Sequence, residues 1–157
     1  TRPDRLAIAG GSNGGLLMGA CLTQRPDLFR AVLIQVPLLD MLRYHRFRIA
    51  RLWIPEYGSA EDPEQFAWLR AYSPYHRVTD GIPYPAVLLA TAESDTRVDP
   101  LHARKMAARL QAATGGSRPI LLRLEAKAGH GAGKPISKVL EELTDTWCFV
   151  FSELDVA

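Results

Sequence analysis

A serine, an aspartate and a histidine stand in the chain in an order that allows them to cooperate in catalysis: Ser12, Asp95 and His130. A serine hydroxyl is a poor nucleophile near neutral pH, because its proton has to be removed as it attacks. An imidazole can take that proton, and a carboxylate can hold the imidazole in the tautomer that accepts it. The chain order Ser, Asp, His is typical of α/β-type serine hydrolases, so we predict a nucleophile, an acid and a base.

The sequence around Ser12 predicts a tight turn between a strand and a helix. Residues 10–14, Gly-Gly-Ser-Asn-Gly, match the nucleophile-elbow pattern G-x-S-x-G. Residues 5–9 before the turn are predicted as a strand and residues 16–22 after it as the buried side of a helix. The amide groups at the start of that helix would face the site, and the N–H of Asn13 is predicted as one of two donors to the developing oxyanion. Taken alone, the pentapeptide also fits a turn with an N-capping serine or a phosphate-binding turn.

Asp95 and His130 each follow an apolar run that is predicted as a strand. Active sites of open parallel sheets form beyond the carboxyl ends of the strands, so residues far apart in the sequence can meet at one edge. In isolation, Asp95 fits a turn or capping aspartate equally well, and His130 fits a loop histidine. The other histidines follow no predicted strand in this way, so His130 is preferred as the base; they are His45, His76 and His102.

Short apolar runs alternate with helical patterns along the chain. This alternation predicts an α/β fold with a doubly wound, mostly parallel sheet. Two helices are expected to start at an aspartate followed by proline, at Asp62 and Asp99, and Gln65 is expected to complete a capping box with Asp62. The last helix is predicted to carry one apolar face. Further strands are predicted at residues 31–35, 85–90 and 120–124, and the last helix at residues 136–151.

The composition is that of an ordinary globular domain: 47% of the 157 residues are hydrophobic, 23% are charged, and the formal net charge is +2. Lys and Arg are spread along the chain, so we expect neither a nucleic acid nor a membrane as a partner. No apolar run approaches the roughly 18 residues of a membrane span. Cys21 and Cys148 lie in separate apolar runs and are expected to be buried free thiols. We therefore expect no metal site and no cofactor.

Three motifs give the chain a resemblance to the catalytic domain of the prolyl oligopeptidases. They are Gly-Gly-Ser-Asn-Gly-Gly at 10–15, Asp-Thr-Arg-Val-Asp-Pro-Leu-His at 95–102 and Lys-Ala-Gly-His-Gly-Ala-Gly-Lys-Pro at 127–135, and the resemblance extends to residues 40–45 and 72–76. It covers essentially the whole chain. It implies an α/β-hydrolase domain, which a β-propeller caps in the intact family. Because the chain opens almost directly on the strand before Ser12, we expect residues 1–157 to be the C-terminal part of such a domain. The first hydrolase strands and the propeller would then lie upstream.

The resemblance also implies roles for single residues. Ser12, Asp95 and His130 match the family's nucleophile, orienting acid and general base, and Asn13 matches the amide donor to the oxyanion. Trp53 matches the tryptophan that stacks on the substrate proline. Further substrate-binding residues follow from the same matching: Tyr57 and Val98 in the proline pocket, Arg97 at a substrate carbonyl, and Leu38, where relatives have a smaller branched residue. The family's second oxyanion donor is a tyrosine from sequence upstream of residue 1.

The expected function is that of a serine peptidase that cleaves short proline-containing peptides after proline through an acyl-enzyme. Two alternatives stay open. One is a related serine hydrolase of other specificity (an acylaminoacyl peptidase, a basic-residue oligopeptidase or an esterase), which would be expected to lack the pair of Trp53 and Arg97. The other is a catalytically silent fragment, and residues 1–157 alone are expected to be weakly active or inactive. We expect a cytoplasmic location, with a periplasmic or secreted one left open.

Overall fold

Four parallel strands form one sheet in the computed structural model, which describes residues 1–126, 129–130 and 135–156. The strands lie in chain order, β1-β2-β3-β4, and each neighbouring pair is parallel. The predicted α/β fold with a parallel sheet is confirmed. The strands are β1 Ala7–Gly11, β2 Ala31–Gln35, β3 Ala86–Ala92 and β4 Ile120–Glu125.

The connections between these strands contain helices, because two parallel neighbours cannot be joined by a tight hairpin and need a longer crossover. In the described residues they are α1 Asn13–Gln24, α2 Ile54–Tyr57, α3 Pro63–Tyr72, α4 Pro74–Arg77, α5 Leu101–Ala113 and α6 Ile136–Leu154. Short 3₁₀ turns lie at Pro3–Arg5, Pro26–Leu28, Tyr44–Arg46 and Ala50–Trp53. The long connection between β2 and β3 therefore carries α2, α3 and α4.

The core covers both faces of the two central strands. In β2, Val32 and Ile34 pack in one cluster with apolar side chains of α1 and α5. Ala31 and Leu33 pack on the opposite face in a cluster with α6. All seven residues of β3 are buried, as the continuous apolar run of this strand predicts. Because β2 and β3 are packed on both faces, the positions at which the loops after their carboxyl ends begin are fixed by the core.

The predicted apolar face of α6 exists, but it turns largely away from the sheet. Phe149 and Val150 are buried against β2 and β3, whereas Trp147 is 53% and Phe151 is 47% exposed. Four more apolar residues of this helix are exposed: Ile136, Val139, Leu140 and Leu143. Within the described residues, β1 and β4 form the edges of the sheet. On the β4 edge, Leu121, Leu122 and Leu124 are also exposed.

The cysteines are both free, as predicted, but they are not both buried. Cys21 is half-buried on α1 and Cys148 is exposed on α6. The prediction of two buried thiols is therefore met only in part by Cys21 and is wrong for Cys148, because Cys148 lies on a part of α6 that the sheet does not cover. Among the described residues, no three or more His, Cys, Asp or Glu side chains gather as a metal site would require. The helices that the structure describes include none with the length and hydropathy of a bilayer span.

The start of α3 confirms one predicted cap and corrects another. Asp62 Oδ1 accepts hydrogen bonds from the backbone N–H groups of Glu64 (2.9 Å) and Gln65 (3.0 Å), as an N-cap residue does. The Gln65 side chain does not close a capping box with Asp62. Its Oε1 instead accepts from the N–H of Ser59 at 2.7 Å, because the preceding turn brings this other donor within reach.

Candidate active site

Ser12 stands in a strained turn at the carboxyl end of β1. Its backbone has φ 57° and ψ −119°, a left-handed conformation that a non-glycine residue adopts only where the surroundings impose it. Gly10 allows the turn to close, since a Cβ there would lie 2.4 Å from the carbonyl oxygen of Gly14. The Ser12 side chain makes no capping hydrogen bond to α1. The interpretation of Ser12 as a plain N-cap is therefore wrong.

Asp95 uses its two carboxylate oxygens for different partners. Oδ1 accepts hydrogen bonds from the backbone N–H groups of Arg97 and Val98, both at 2.9 Å. Oδ2 lies 2.6 Å from Nδ1 of His130. The residue is fully buried, so neither oxygen has to exchange its partner for water. The turn role and the imidazole-holding role, which the sequence left as alternatives, coexist in one side chain.

His130 bridges the carboxylate and the serine. Its Nδ1 faces Asp95, and its Nε2 lies 3.2 Å from Oγ of Ser12. An ionised carboxylate can only accept, so Nδ1 carries the proton and the Nε2 lone pair faces the hydroxyl. The arrangement can therefore remove the Ser12 proton during an attack on a carbonyl carbon. The three side chains come from the ends of β1, β3 and β4, as parallel topology requires.

Asn13 is the first residue of α1, and its environment suits a donor to a developing negative charge. Backbone N–H groups of the first helical turn have no partner within the helix, and the positive end of the helix dipole lies there. The Asn13 side chain is oriented by Tyr57, whose hydroxyl donates to Oδ1 at 2.8 Å. Burial raises the pKa of Tyr57 to about 12, and the nearby Glu56 carboxylate adds to this rise. The hydroxyl therefore stays protonated and remains a donor.

A small cavity of about 100 Å³ opens beside Ser12. Leu38 forms a fully buried part of its wall, and the guanidinium carbon of Arg97 lies 5.8 Å from the centre of the Trp53 ring. Val98 packs in the apolar cluster that includes Leu38 and against which Trp53 and Tyr57 rest, so it supports the wall from behind. The cavity is lined by Ser12, Asn13, Leu38, Trp53, Glu56, Tyr57 and Arg97.

Glu56 lines this cavity although the sequence reasoning did not select it. The signal that could have found it is its spacing from Trp53 and Tyr57. Residues i, i+3 and i+4 share one face of a helical turn, and α2 spans Ile54–Tyr57. With Trp53 and Tyr57 already assigned to the pocket, Glu56 should have been expected there as well.

A larger groove of about 530 Å³ lies elsewhere, between β4 and α6. Its walls include Leu121, Leu122, Cys148 and Phe149, with none of the triad residues. Cavity size alone would have pointed to this groove. The smaller cavity is the better candidate, because a nucleophile with its base opens into it.

The comparisons with known proteins point to one family. A family model described as the prolyl oligopeptidase family matches residues 1–156. A prolyl endopeptidase from Elizabethkingia miricola is 43% identical over 157 residues, which cover 99% of this chain and 22% of that protein. The chain thus spans about a fifth of the length of the curated relative that it matches.

Solved structures agree with this. A structure from a mechanistic study of two prolyl endopeptidases superposes with a TM-score of 0.97 at 55% identity, covering 100% of this chain and 23% of that one. Prolyl oligopeptidase B from Galerina marginata, bound to a 35mer hydrolysis and macrocyclization substrate, superposes with a TM-score of 0.91 at 35% identity, covering 98% and 22%. By family model, sequence and fold together, the chain belongs to the prolyl oligopeptidase family of serine peptidases.

Proposed function

We propose that these residues form the catalytic part of a serine peptidase that cleaves short peptides on the carboxyl side of proline. The observation that carries the proposal is the line of hydrogen bonds from Asp95 through His130 to Ser12, beside a small aromatic cavity. The names of the relatives, prolyl endopeptidase and prolyl oligopeptidase, support the choice of proline. Because the chain spans about a fifth of its relatives' length, we propose that it works within a longer chain. That chain, called the complete enzyme below, would add the upstream hydrolase strands and a β-propeller.

Acylation would begin when Ser12 Oγ attacks the carbonyl carbon of the substrate proline while Nε2 of His130 takes the hydroxyl proton. The carbonyl oxygen becomes an oxyanion, which the N–H of Asn13 stabilises together with a donor from the upstream sequence. When the carbon–nitrogen bond breaks, His130 gives its proton to the leaving amine. A water molecule then attacks the ester on Ser12 with the same base, which releases the new carboxyl group and restores the hydroxyl.

The cavity would select proline by shape and by surface. The flat indole of Trp53 offers a face for the pyrrolidine ring, and the buried Leu38 closes the wall near Ser12. Arg97 is exposed at the rim, where its guanidinium can donate to a substrate carbonyl on the amino side of the cleaved bond. A larger side chain in place of proline would have to displace these walls.

A second candidate function is cleavage after a basic residue, and one observation favours it. Glu56 is among the residues that line the cavity, and a carboxylate can pair with a cationic side chain. Arg97 lines the same cavity and repels such a substrate, so this candidate ranks lower.

Two measurements on the complete enzyme test the proposal. A fluorophosphonate probe should label wild type, and Ser12→Ala should remove the labelling, because only an activated serine reacts. A chromogenic dipeptide ending in proline should be cleaved with a higher kcat/KM than its matched peptide ending in arginine. Labelling that survives Ser12→Ala would overturn the nucleophile, and a preference for arginine would favour the second candidate.

A further inference from the structure

The segment after β2, residues 36–43, contributes Leu38 to the cavity wall and has no regular secondary structure; we call it the wall segment. Val36 still donates its N–H to the carbonyl oxygen of Ala90 on β3 at 2.8 Å, but the residues after it have no sheet or helical ladder to receive their N–H groups. Two of them, from Leu39 and Asp40, donate to the same atom, Nδ1 of His102, at 3.2 Å and 3.1 Å. His102 lies in the first turn of α5 and is 2% exposed. The His102 ring therefore accepts, directly beside Leu38, the two N–H groups that a neighbouring strand would otherwise accept.

Further side chains fasten the wall segment at its next positions. The N–H of Met41 donates to Oγ of Ser73 at 3.0 Å. The buried carboxylate of Asp40 pairs with Lys105, one turn along α5 from His102, and with Arg43 at 3.1 Å. Three consecutive backbone donors of the wall segment are thus taken by side chains from other parts of the chain.

The start of α5 also contacts the segment that leads to Trp53. The Phe47 ring meets the His102 ring edge to face, with centroids 5.5 Å apart. Beside this contact, Nε of Arg48 donates to Oδ2 of Asp99 at 3.1 Å. The start of α5 therefore touches the wall segment and the segment that leads to Trp53, which are two of the chain segments that line the cavity. The residues just before it, Asp95 to Val98, belong to the catalytic acid's own turn.

We propose that His102 is a positioning residue for the proline pocket: as an uncharged acceptor it fixes the wall segment and, with it, the place of Leu38 relative to Trp53. The inference rests on the proposed function, since it concerns which substrate the cavity selects. His102 does not touch the reacting atoms. Its loss should therefore change the selection of proline and leave the activation of Ser12 in place.

The chemistry of the ring fits this role. Only a neutral imidazole can accept at Nδ1, so the proton of the ring must lie on Nε2. Burial favours that neutral form by lowering the pKa of His102 to about 4, against the opposing pull of Asp40 and Asp99 and with a small contribution from Lys105. The acceptor is therefore present throughout the neutral pH range.

The test compares two polar substitutions of His102 in the complete enzyme. An Asn at this position can present its carbonyl oxygen near the place of Nδ1, whereas the longer Gln reaches toward Nε2. Selectivity is the kcat/KM for a peptide ending in proline divided by that for the same peptide ending in alanine. We expect His102→Gln to lower this ratio about tenfold, within the range of a disturbed apolar pocket, and His102→Asn to restore most of it. Labelling by a fluorophosphonate should change less than about threefold in both.

A core variant serves as the control for loss of stability alone. Leu110 is fully buried on the same helix and packs in the core cluster that β2 and β3 share with α1 and α5, so Leu110→Ala should lower the melting temperature and leave the ratio unchanged. The inference is wrong if His102→Gln keeps the wild-type ratio, if Asn fails to restore it, or if Leu110→Ala lowers it equally. A wild type that labels but does not prefer proline would overturn the proposed specificity itself, a result visible before any variant is made.

Discussion

Asp95 shows most clearly how one residue can serve both fold and chemistry. Its Oδ1 closes the turn that carries Arg97 and Val98, and its Oδ2 holds the imidazole of His130. A substitution that keeps the shape of the side chain but changes its charge should separate these two roles. The amide oxygen of Asn can still accept from the turn, but an NH₂ group facing Nδ1 stabilises the wrong tautomer.

We therefore expect Asp95→Asn to lower kcat of the complete enzyme by about 10³–10⁴-fold while the protein stays folded, as loss of the orienting acid does in other triads. The measurement is kcat on a proline peptide together with a thermal melt. Asp80→Asn is the matched control, because Asp80 is a mostly exposed partner of Arg109 on the surface and should leave kcat unchanged. Retention of more than a tenth of the wild-type kcat by Asp95→Asn would remove Asp95 from the mechanism.

A second residue-scale prediction concerns Trp53. Trp53→Ala should weaken cleavage after proline by about 1–3 kcal/mol in transition-state binding, the range of a lost apolar pocket contact. Trp68→Ala is the control, because Trp68 lies 54% exposed on α3 and takes no part in the cavity. The measurement is kcat/KM for the proline peptide. Equal effects of the two substitutions would show that Trp53 is not the proline platform.

At the scale of elements, α5 holds the acid turn, the wall segment and the segment that leads to Trp53 against the sheet, and the free energy of unfolding should depend on the pH through His102. The pKa of His102 is lowered from 6.5 to about 4 by burial. Between these values the unfolded chain binds the proton more readily than the folded one, so the free energy of unfolding falls as the pH drops. The stabilisation that comes from the neutral His102 ring is fully present above pH 6.5, and its loss is complete near pH 4.

The expected loss from His102 is on the order of 3 kcal/mol across that window, since each pKa unit corresponds to about 1.4 kcal/mol. Urea denaturation of the complete enzyme between pH 7 and pH 4 measures it. Asp40, whose pKa is lowered from 3.8, loses its contribution only at still lower pH and does not share the window. His76 shares the window, because burial lowers its pKa from 6.5 as well, so His102→Asn should make the pH dependence less steep without removing it. An equally steep dependence in that variant would assign the loss to other groups.

The elements themselves followed from the sequence to different degrees. β2 was predicted with the bounds that the structure has, because its apolar run is flanked by clear breakers. The sequence predicts that α5 starts at Asp99, and the observed helix begins two residues later, at Leu101. Asp99 Oδ1 accepts a hydrogen bond from the N–H of Leu101. The hydrogen-bond partners of the Gln65 and His102 side chains could not be predicted. Both side chains accept from backbone N–H groups that only the folded chain brings within reach. For the site, the motifs and the order of the strands predicted that Ser12, Asp95 and His130 meet. Glu56 could be placed at the cavity only once the helical turn of α2 was known.

At the scale of the whole molecule, the described residues leave many apolar side chains exposed, and two groups of them lie on α6 and β4. One is the outer side of α6, where Trp147 and Phe151 are about half exposed, and the other is the β4 edge with Leu121. Monomeric proteins rarely expose contiguous apolar patches of this kind. An edge strand also presents unpaired backbone groups to any neighbouring chain. We infer that other parts of the complete enzyme cover these surfaces.

The 157 residues expressed alone should therefore be marginally stable, associate with one another and turn over a proline peptide far more slowly than a full-length relative. Loss of one oxyanion donor typically costs about 10²–10³ in rate, and the second donor is expected from upstream sequence. Light scattering after size exclusion, with kcat on the same sample, measures both properties. A stable monomer with robust turnover that Ser12→Ala abolishes would contradict this prediction.

The covalent intermediate gives the most direct test of the chemistry. The complete enzyme should be quenched in acid during turnover of an activated ester of an N-blocked glycyl-proline, digested and analysed by mass spectrometry. We predict the mass of the blocked glycyl-prolyl group on the peptide that contains Ser12, and its absence from Ser12→Ala. Asp95→Asn should form the adduct far more slowly at the same serine. Turnover without any adduct on that peptide, or an adduct on another residue, would contradict the mechanism.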